Sequence, residues 1–584
     1  MFMPFPWRRH FVRSAPRPST RLSLEALEAR TLLSTSPSSL VVDPLNGFNN
    51  VNIAQSSQGQ AETTIAIDPI NPINHSLDLT DSYLFAASNA PPVAGSNHFA
   101  AYSSNEGVTW TLSNVSTIPK GGYDEQATFD QYGNLFLTYL AGSNVVVAWS
   151  ADGGKTFAGY KVLGPGDQPS ISTGYDPATG KGSVWVSYQN GGYIQASGAA
   201  VSGPLYTRTN TVGTFSKPQN VTGSAGGDYG DTKVGLNGDV MVTYQNPIGV
   251  QGQASGQGPS TIYVNLYTGG VTTKGKVGTF LAPVTVTTTN VGGYATIPAQ
   301  PSDTIDAEAN LAWGPDPSNA SNPDGRVYLV YTNRPTLTSA ATDIYVTFSE
   351  NDGTTWSQPV RVNDDGGPLG DGKSHFLPAI AVDHSTGFVA VTWYDARNST
   401  TNTTAQIYGT VSTDGGLTWI PNVQIGAGLS NGVAAGNFNF GDYDTMDYAN
   451  GVFYRSWADN SSTVFQYPNA HLPDMTPATA RVSVVATTSV VTSGAGASPA
   501  LSQTQGFQGA SAPATPGPAT SKGSQSVVSA EQNSESIDHL FTAAGKAGQG
   551  AVWFRWTHGD LGGAGSDPTD GLATDEVFQT VGGL

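Results

Sequence analysis

The chain has 584 residues, a formal net charge of −19 and only 12% charged residues. This acidity argues against nucleic acid or an anionic membrane surface as a partner, because both attract basic proteins. The absence of cysteine excludes disulfide bonds and thiolate metal sites, and no apolar run reaches the roughly 18 residues that predict a membrane-spanning helix. The 70 glycines favour short strands and tight turns over helices.

Residues 1–34 differ from the rest, because six arginines occur there without a matching acidic cluster. Arg8 and Arg9 form a twin-arginine pair, but no apolar stretch follows them, so they match a twin-arginine signal poorly. The segment Leu24–Ser34 resembles the Leu-Glu-x-Leu-Glu-x-Arg-x-Leu-Leu leader of some bacterial exported proteins. The alternative is a short amphipathic helix or tail. We therefore expect an exported protein, extracellular or on the cell surface.

A two-strand pattern then repeats along the chain: an apolar strand, a turn with Asp, Asn or Gly, and a second strand ending near an aromatic residue. The copies are Thr63–Ser88, Ala127–Leu140, Pro169–Gln189, Thr232–Gln245, Asn310–Asn333, Pro378–Asp395 and Asp444–Asp459. This repetition predicts an all-β fold, a single β-propeller of four-stranded blades over residues 35–486. Seven blades are expected, with six as the alternative. Arg481–Val485 is the predicted outer strand of the last blade.

Four of these strand pairs are followed by a similar eight-residue turn with Ser first, Asp or Asn third and an aromatic residue last. The copies are Ser103–Trp110, Ser150–Phe157, Ser349–Trp356 and Ser412–Trp419. Asp and Asn bond to the backbone downstream and Gly accepts positive φ, so each copy predicts a β-hairpin. The repeated turn resembles the Asp-box (bacterial neuraminidase) repeat of the sialidase superfamily. That resemblance implies a β-propeller whose turns lie on the face away from the active site.

Beyond the propeller the composition changes to Ser, Ala, Gly, Pro, Gln and Thr. Residues 487–535 are predicted to be a low-complexity, disordered linker, since such a segment buries too little apolar surface to offset its ordering entropy. Residues 536–584 form a short C-terminal tail. Within it we expect a short helix over Ser536–Ala544 and a strand over Ala551–Trp556.

In a propeller, the start of each first strand and the end of each second strand lie at one axial mouth. Carboxylates precede every predicted first strand: Glu62, Asp124 with Glu125, Asp167, Asp228 with Asp231, Asp306 with Glu308, Asp371, and Asp442 with Asp444. Crowded carboxylates raise one another's pKa or attract cations, which makes this ring a candidate ligand site. The alternative is that each one caps backbone N–H groups or pairs with a neighbouring blade.

Aromatic residues and two arginines follow the second strands, among them Arg334, Tyr394 and the pair Asp395 and Arg397. Aromatic platforms with guanidinium donors suit a glycan or another polar small ligand, and the arginines suit an anionic one. The alternatives are interblade packing for the aromatic residues and a simple Asp395–Arg397 ion pair.

The sialidase resemblance implies a tyrosine nucleophile polarised by a glutamate, an aspartate acid/base and three arginines around the substrate carboxylate. By position these are Tyr394, Glu308 and Asp371, with Arg334 and Arg397 as two of the arginines. The family's first arginine is missing, because Val51–Glu62 contains none. The third candidate, Arg455, lies in the middle of a strand. The incomplete triad leaves the enzymatic activity open.

Two functions remain from the sequence: a secreted, sialidase-like exo-glycosidase acting at the acidic mouth, or a non-catalytic surface propeller that binds carbohydrate, peptide or a cation. No cofactor is required. The oxygen-rich loop Asn363–Asp371 allows structural calcium, with an ordinary solvated loop as the alternative. We expect a monomer.

Overall fold

The structure is a computed structural model. It describes residues 39–45, 50–54, 59–70, 83–89, 98–176, 179–208, 211–247, 258–319, 322, 324–367, 370–435, 439–461, 474–485, 540–543 and 551–554. The predicted leader (1–34) and linker (487–535) lie outside these ranges. The chain divides into two units, Met1–Ser493 and Gly494–Leu584.

Strands account for nearly all the regular structure of the described residues. The strands up to the third complete sheet are β1 (Ser39–Asp43), β2 (Val51–Asn52), β3 (Thr64–Asp68), β4 (Tyr83–Ser88), β5 (Phe99–Ser103), β6 (Thr111–Leu112), β7 (Tyr123–Phe129), β8 (Leu135–Ala141), β9 (Asn144–Ser150), β10 (Gly159–Pro165), β11 (Asp167–Asp176), β12 (Lys181–Asn190), β13 (Tyr193–Ser202), β14 (Thr211–Val212) and β15 (Gln219–Asn220). The next are β16 (Asp228–Val234), β17 (Val240–Pro247), β18 (Ser260–Tyr267), β19 (Val284–Thr289), β20 (Ala295–Ile297), β21 (Gln300–Ile305), β22 (Asn310–Gly314), β23 (Arg326–Asn333), β24 (Asp343–Ser349) and β25 (Val360–Arg361). The last are β26 (His375–Val382), β27 (Val389–Asp395), β28 (Gln406–Ser412), β29 (Val423–Gln424), β30 (Met446–Ala449), β31 (Val452–Asp459), β32 (Thr476–Val485), β33 (Leu540–Ala543) and β34 (Ala551–Phe554), with a 3-10 turn at Gly432–Ala434.

These strands form antiparallel sheets in which sequence neighbours pair. The sheets with four or five strands are β3–β6, β7–β10, β11–β15, β16–β19, β22–β25, β26–β29, and the sheet of β30, β31 and β32 with β1 and β2. Each strand pair identified in the sequence supplies the first two strands of one such sheet. The hairpin of β20 and β21 forms a separate two-stranded sheet.

The first strands of the sheets are arranged in a closed series. β3 contacts β7, and contacts continue in order through β11, β16, β22, β26 and β30, which returns to β3. Hydrogen bonds cross these boundaries: Ala127 N donates to Thr64 Oγ1 over 3.0 Å, and Ile65 N donates to Thr445 Oγ1 over 2.9 Å. The protein is a β-propeller, as the repeats predicted.

The apolar core lies between consecutive sheets. For example, one cluster joins Tyr328 and Val346 of β23 and β24 to Val391 and Trp393 of β27. A second cluster joins Val242 and Tyr267 to Trp185 of the preceding sheet. Burial of this surface, at about 25 cal/mol per Å² of apolar area, holds neighbouring sheets face to face. The interior strands are therefore apolar on both faces, which explains their near-continuous hydrophobic sequences.

The last sheet combines both ends of the first unit. β1 pairs antiparallel with β32, with Leu40 opposite Val484, and β2 also pairs with β32. The prediction that Arg481–Val485 is the outer strand was therefore wrong. These residues belong to the third strand, β32, and the outer position is taken by β1. Because β1 and β32 lie far apart in the sequence, no local pattern could show that they pair.

The four repeated turns connect third and fourth strands, as predicted, and share one hydrogen-bond pattern. In the turn at Asp414, the Ser412 hydroxyl donates to the carboxylate and also accepts from Gly416 N over 2.7 Å. The same carboxylate accepts from Thr418 N and Thr418 Oγ1 over 2.9 and 2.5 Å. Gly415 and Gly416 have φ of 78° and 87°, which only glycine adopts readily. The turn is therefore fixed by local chemistry.

In the second unit the structure describes β33 and β34, which pair antiparallel. The predicted strand at Ala551 is present. The predicted helix over Ser536–Ala544 was wrong, because Leu540–Ala543 is a strand that pairs with Ala551–Phe554. Among the described residues, no helix is both long and apolar enough to cross a membrane.

Candidate functional site

The first strands begin with an irregularity at the end nearest the mouth. The register of β7 on β8, β11 on β12, β16 on β17 and β26 on β27 shifts there. At equivalent places the backbone of five non-glycine residues is left-handed: Glu62 (φ 53°), Asp124 (φ 58°), Gln168 (φ 46°), Glu308 (φ 45°) and Leu377 (φ 48°). Such φ values cost of order 1–3 kcal/mol each and gather at functional sites. A β-bulge, the usual cause of such a register shift, also changes the direction of the neighbouring side chain.

Carboxylates from these irregular starts interact with one another. The electrostatic field of Asp442 acts on Glu62, Asp124, Asp306 and Glu308. Asp167 is hydrogen-bonded to Asp124, and Asp228 acts on Asp306. We call this set the axial acidic cluster: Glu62, Asp124, Asp167, Asp228, Asp306, Glu308 and Asp442. The structure therefore brings together seven of the eleven carboxylates that were singled out in the sequence.

The pKa of several members of the axial acidic cluster is raised above the usual range. Burial, reinforced by the charge of Asp167, raises the pKa of Asp124 to about 7. Burial first, and then neighbouring carboxylates, raises the pKa of Glu62 and Glu308 well above the usual range. A protonated carboxyl is both a donor and an acceptor of hydrogen bonds. The cluster therefore presents a mixture of charged and neutral oxygen groups.

Four pairs of acids precede first strands: Asp306 and Glu308 both belong to the cluster, whereas each of the other three pairs contributes one member. Asp231 accepts from Leu311 N over 2.8 Å and from Ser170 Oγ over 2.5 Å, in the sheets on either side of its own. Asp444 accepts from Thr63 N over 2.9 Å. Glu125 is fully buried beside His98, with 4.0 Å between Oε1 and Nδ1. For Asp231 and Asp444 the alternative of capping backbone N–H groups is the one observed.

A small cavity, partly open to solvent, lies beside the cluster. Its polar lining comprises Gln126, Gln168, Glu308, Asn310 and Tyr443. The Tyr443 hydroxyl is buried and has no hydrogen-bond partner within the described part of the chain. Apart from Glu308, sequence reasoning missed these residues. Their position in the sequence was the available signal, because Gln126 and Asn310 each lie two residues after one of the predicted acids, Asp124 or Glu308.

Tyr394, the predicted nucleophile, is buried in the interior. Its hydroxyl donates to Asp444 Oδ2 over 2.6 Å and accepts from Ala458 N over 2.8 Å. Its ring packs on Phe376 and Phe440, at centroid distances of 5.2 and 4.6 Å. Burial, followed by the Asp444 charge, raises its pKa well above the usual range. The hydroxyl is thus paired with Asp444 rather than with the predicted Glu308, which instead accepts from Asn310 Nδ2.

The predicted arginines bond to separate protein segments. Arg334 Nε donates to Asn290 O over 3.0 Å, and its side chain is buried. Arg397 pairs with Asp395 and Asp364 over 2.8 and 3.0 Å and stacks on a tyrosine ring. The ion-pair alternative for Asp395 is therefore the one observed.

Arg455, the third candidate, is fully buried. It donates to Asp444 O over 2.8 Å and to Leu377 O over 3.2 Å. The three predicted arginines thus share no common anion-binding point.

Asp371, the predicted acid, lies in a different group near the start of β26. Its Oδ1 accepts from Lys373 N over 2.7 Å, and its carboxylate lies within 4.8 Å of a carboxylate oxygen of Asp365. His375 belongs to the same group, with Nε2 at 3.0 Å from Asp365 Oδ2 and 3.4 Å from Asp395 Oδ2. Asp371 and Tyr394 therefore belong to different groups of hydrogen-bonded residues. His375 was not predicted, because the histidines of the sequence show no zinc-like spacing.

No family model matches the sequence, and no curated protein matches it significantly. Among solved structures, a protein of unknown function from Dyadobacter fermentans DSM 18053 is 12% identical, with a TM-score of 0.38, covering 76% of this chain and 99% of that one. Hadza microbial sialidase Hz136 is 12% identical, with a TM-score of 0.34, covering 76% and 95%. Polysaccharide lyase Uly1 is 8% identical, with a TM-score of 0.39, covering 76% and 99%. Similarity at this level transfers no activity or substrate to the present chain.

Proposed function

We propose that the protein is an exported β-propeller that binds a neutral glycan at the axial acidic cluster. The observation that carries this proposal is the cavity lined by Gln126, Gln168, Glu308, Asn310 and Tyr443. Three amides, a carboxyl whose pKa is raised by burial, and a hydroxyl without a partner among the described residues suit the hydroxyl groups of a sugar.

Charge favours a neutral sugar over a sialoside. The cavity adjoins several carboxylates, so an anionic ligand meets repulsion there. The positive charge that interacts with Glu308 is the guanidinium of Arg455. The described hydrogen bonds of this guanidinium go to backbone carbonyls. Binding a ligand carboxylate requires a guanidinium that can turn towards it.

A second function, hydrolysis of a neutral glycoside, is favoured by one observation. Glu308 lines the cavity, its pKa is raised well above the usual range by burial and by Asp306, and Asp442 interacts with it. A carboxyl that holds its proton next to an ionisable carboxyl is the arrangement used by glycosidases, in which one acts as general acid and the other as base or nucleophile. In this proposal Glu308 is the acid and Tyr394 has no catalytic role.

One experiment tests both functions: the full chain is measured for binding and turnover on neutral and sialylated glycans. We expect binding to neutral glycans, weakened about five- to tenfold in Gln126→Ala, the effect of losing one or two hydrogen bonds. Gln358→Ala, after the turn at the opposite end of the sheets, is the matched control and should bind normally. Tighter binding of sialosides, or equal loss in both variants, would refute the glycan site.

Turnover then separates the two functions. If hydrolysis occurs, Glu308→Gln should lower kcat by roughly 100-fold or more while keeping most of the affinity, because the amide fills the same space without a transferable proton. Unchanged kcat in Glu308→Gln would remove the acid assignment. Binding by the wild-type chain without turnover on any glycan would leave binding alone.

A further inference from the structure

A second polar group lies away from the axial cavity, where β25 is followed by β26. Asp365, Asp371 and His375 each offer one ligand atom, and these atoms all lie within 4.8 Å of one another. Two ligands on opposite sides of an ion are about 4–5 Å apart when each bond is about 2.0–2.4 Å long. The three atoms therefore span a distance that one metal ion can bridge.

The orientation of His375 is the first observation that points to a ligand. The residue is fully buried, and its Nδ1 lies 2.6 Å from Thr342 O, a backbone carbonyl that can only accept. Nδ1 therefore carries a proton, which leaves Nε2 as the coordinating nitrogen of the neutral ring. Metal-binding histidines are held in this way, with the second ring nitrogen donating to a carbonyl or carboxylate.

The second observation is what His375 Nε2 faces. It lies 3.0 Å from Asp365 Oδ2 and 3.4 Å from Asp395 Oδ2, but neither oxygen is positioned for a directional hydrogen bond. Asp365 Oδ2 is buried and likewise has no hydrogen-bond partner in the described ranges. A buried nitrogen and a buried carboxylate oxygen thus converge on one point, at which only a proton or a cation is favourable.

The third observation is the contact between acids. The ligand atoms of Asp371 and Asp365 lie within 4.8 Å of each other, so their carboxylates repel unless something positive lies between them. Asp395 is held by the Arg397 guanidinium over 2.8 Å and accepts from Trp393 Nε1 over 2.8 Å, so it is already satisfied. The group open to an ion is therefore Asp365, Asp371 and His375.

We propose that Asp365, Asp371 and His375 bind one divalent transition-metal ion, Zn²⁺ or Mn²⁺. A mixed set of imidazole nitrogen and carboxylate oxygen suits these ions, whereas Ca²⁺ prefers oxygen alone. The ion replaces the proton between His375 Nε2 and Asp365. It joins Asp365, which follows the sheet of β22–β25, to His375 of the next sheet, and so fastens two neighbouring sheets together.

The test uses the full chain stripped with a chelator and titrated with Zn²⁺, Mn²⁺ or Ca²⁺ by calorimetry. We expect one equivalent of Zn²⁺ or Mn²⁺ to bind, Ca²⁺ to bind at least tenfold more weakly, and the melting temperature to rise with metal concentration, because an ion bound only by the folded state stabilises it. Co²⁺ should give an absorption spectrum of nitrogen and oxygen ligands.

Asp371→Asn is the decisive variant, because Asp371 is half-buried and its amide leaves the fold intact. It should weaken Zn²⁺ binding by at least tenfold, while the melting temperature of the stripped protein should stay the same or rise, because the variant removes a repulsion between two carboxylates. Asp364→Asn, one residue from a proposed ligand and 47% exposed at its side chain, is the matched control and should keep its affinity. Absence of stoichiometric binding at millimolar metal, or equal affinity in wild type and Asp371→Asn, would overturn the site.

Discussion

At the scale of single residues, hydrogen-bond partners separate functional from structural groups. Tyr394 has the residue type and strand position of a nucleophile, yet its hydroxyl is saturated by Asp444 and Ala458. Tyr443 lies among ionisable groups, and its hydroxyl lacks a partner in the described chain. Buried polar atoms without partners are costly, so they indicate where a ligand or water belongs.

Tyr394→Phe should therefore reduce stability and leave function intact. Loss of the hydroxyl removes a donor to the buried Asp444 carboxylate, for which we expect the free energy of unfolding to fall by about 2–3 kcal/mol. Urea unfolding measures the change, and ligand binding at the axial cluster should be unaltered. Tyr448→Phe, in the same core cluster but without a hydrogen-bond partner among the described atoms, should change stability by less than about 0.5 kcal/mol. Loss of binding with unchanged stability in Tyr394→Phe would restore its functional assignment.

At the scale of elements, the repeated turns depend on one acceptor side chain. The Asp414 carboxylate accepts from the side chain and backbone of Thr418, and Asn351 bonds equivalently to Thr355 in the turn at Ser349. The amide oxygen takes the backbone bond, and the amide nitrogen donates to the threonine hydroxyl. Asp and Asn are therefore interchangeable in this turn.

Asp414→Ala should lower the free energy of unfolding by about 1–2 kcal/mol, because four donors lose their acceptor at a partly exposed site. Asp414→Asn should cost less than about 0.5 kcal/mol, since the chain itself uses Asn in this position. Chemical denaturation of the two variants provides the comparison. Equal destabilisation by Ala and Asn would show that charge, and not the hydrogen-bond pattern, matters.

Features determined by neighbours in sequence could be predicted, and those determined by distant contacts could not. Strand pairs and turns follow from alternation and from residues such as Asp414 and Gly416. The convergence of Glu62, Asp124 and Asp306 followed from their shared location near the start of a first strand. The pairing of Tyr394 with Asp444, or of His375 with Asp365, depends on how adjacent sheets pack, for which a single sequence holds no periodic signal.

At the scale of the whole molecule, the ring is held by a sheet made from both ends of the first unit. The Arg481 side chain pairs with Asp43 across a separation of 438 residues, beside the β1–β32 ladder. Without β1, the strand β32 would present an open edge, which promotes association with other chains.

Deletion of residues 1–45 should therefore lower the melting temperature and produce oligomers in size-exclusion chromatography. A chain starting at residue 36, which retains β1, is the control and should behave as the full chain does. A monomeric product with an unchanged melting temperature after removal of β1 would show that the ladder contributes little to ring stability.

The β1–β32 ladder also determines when the ring of sheets can close during synthesis of the chain. Ser39–Asp43 leaves the ribosome early, but its partner Thr476–Val485 is made only after all the intervening sheets. Sheets whose strands are contiguous can assemble as they emerge, whereas this final pairing waits for the end of translation of the unit. We therefore expect a truncated mRNA to yield a chain whose ring is not closed and whose strand edge is exposed. Such a chain should be degraded by proteases and should not be a partly active product.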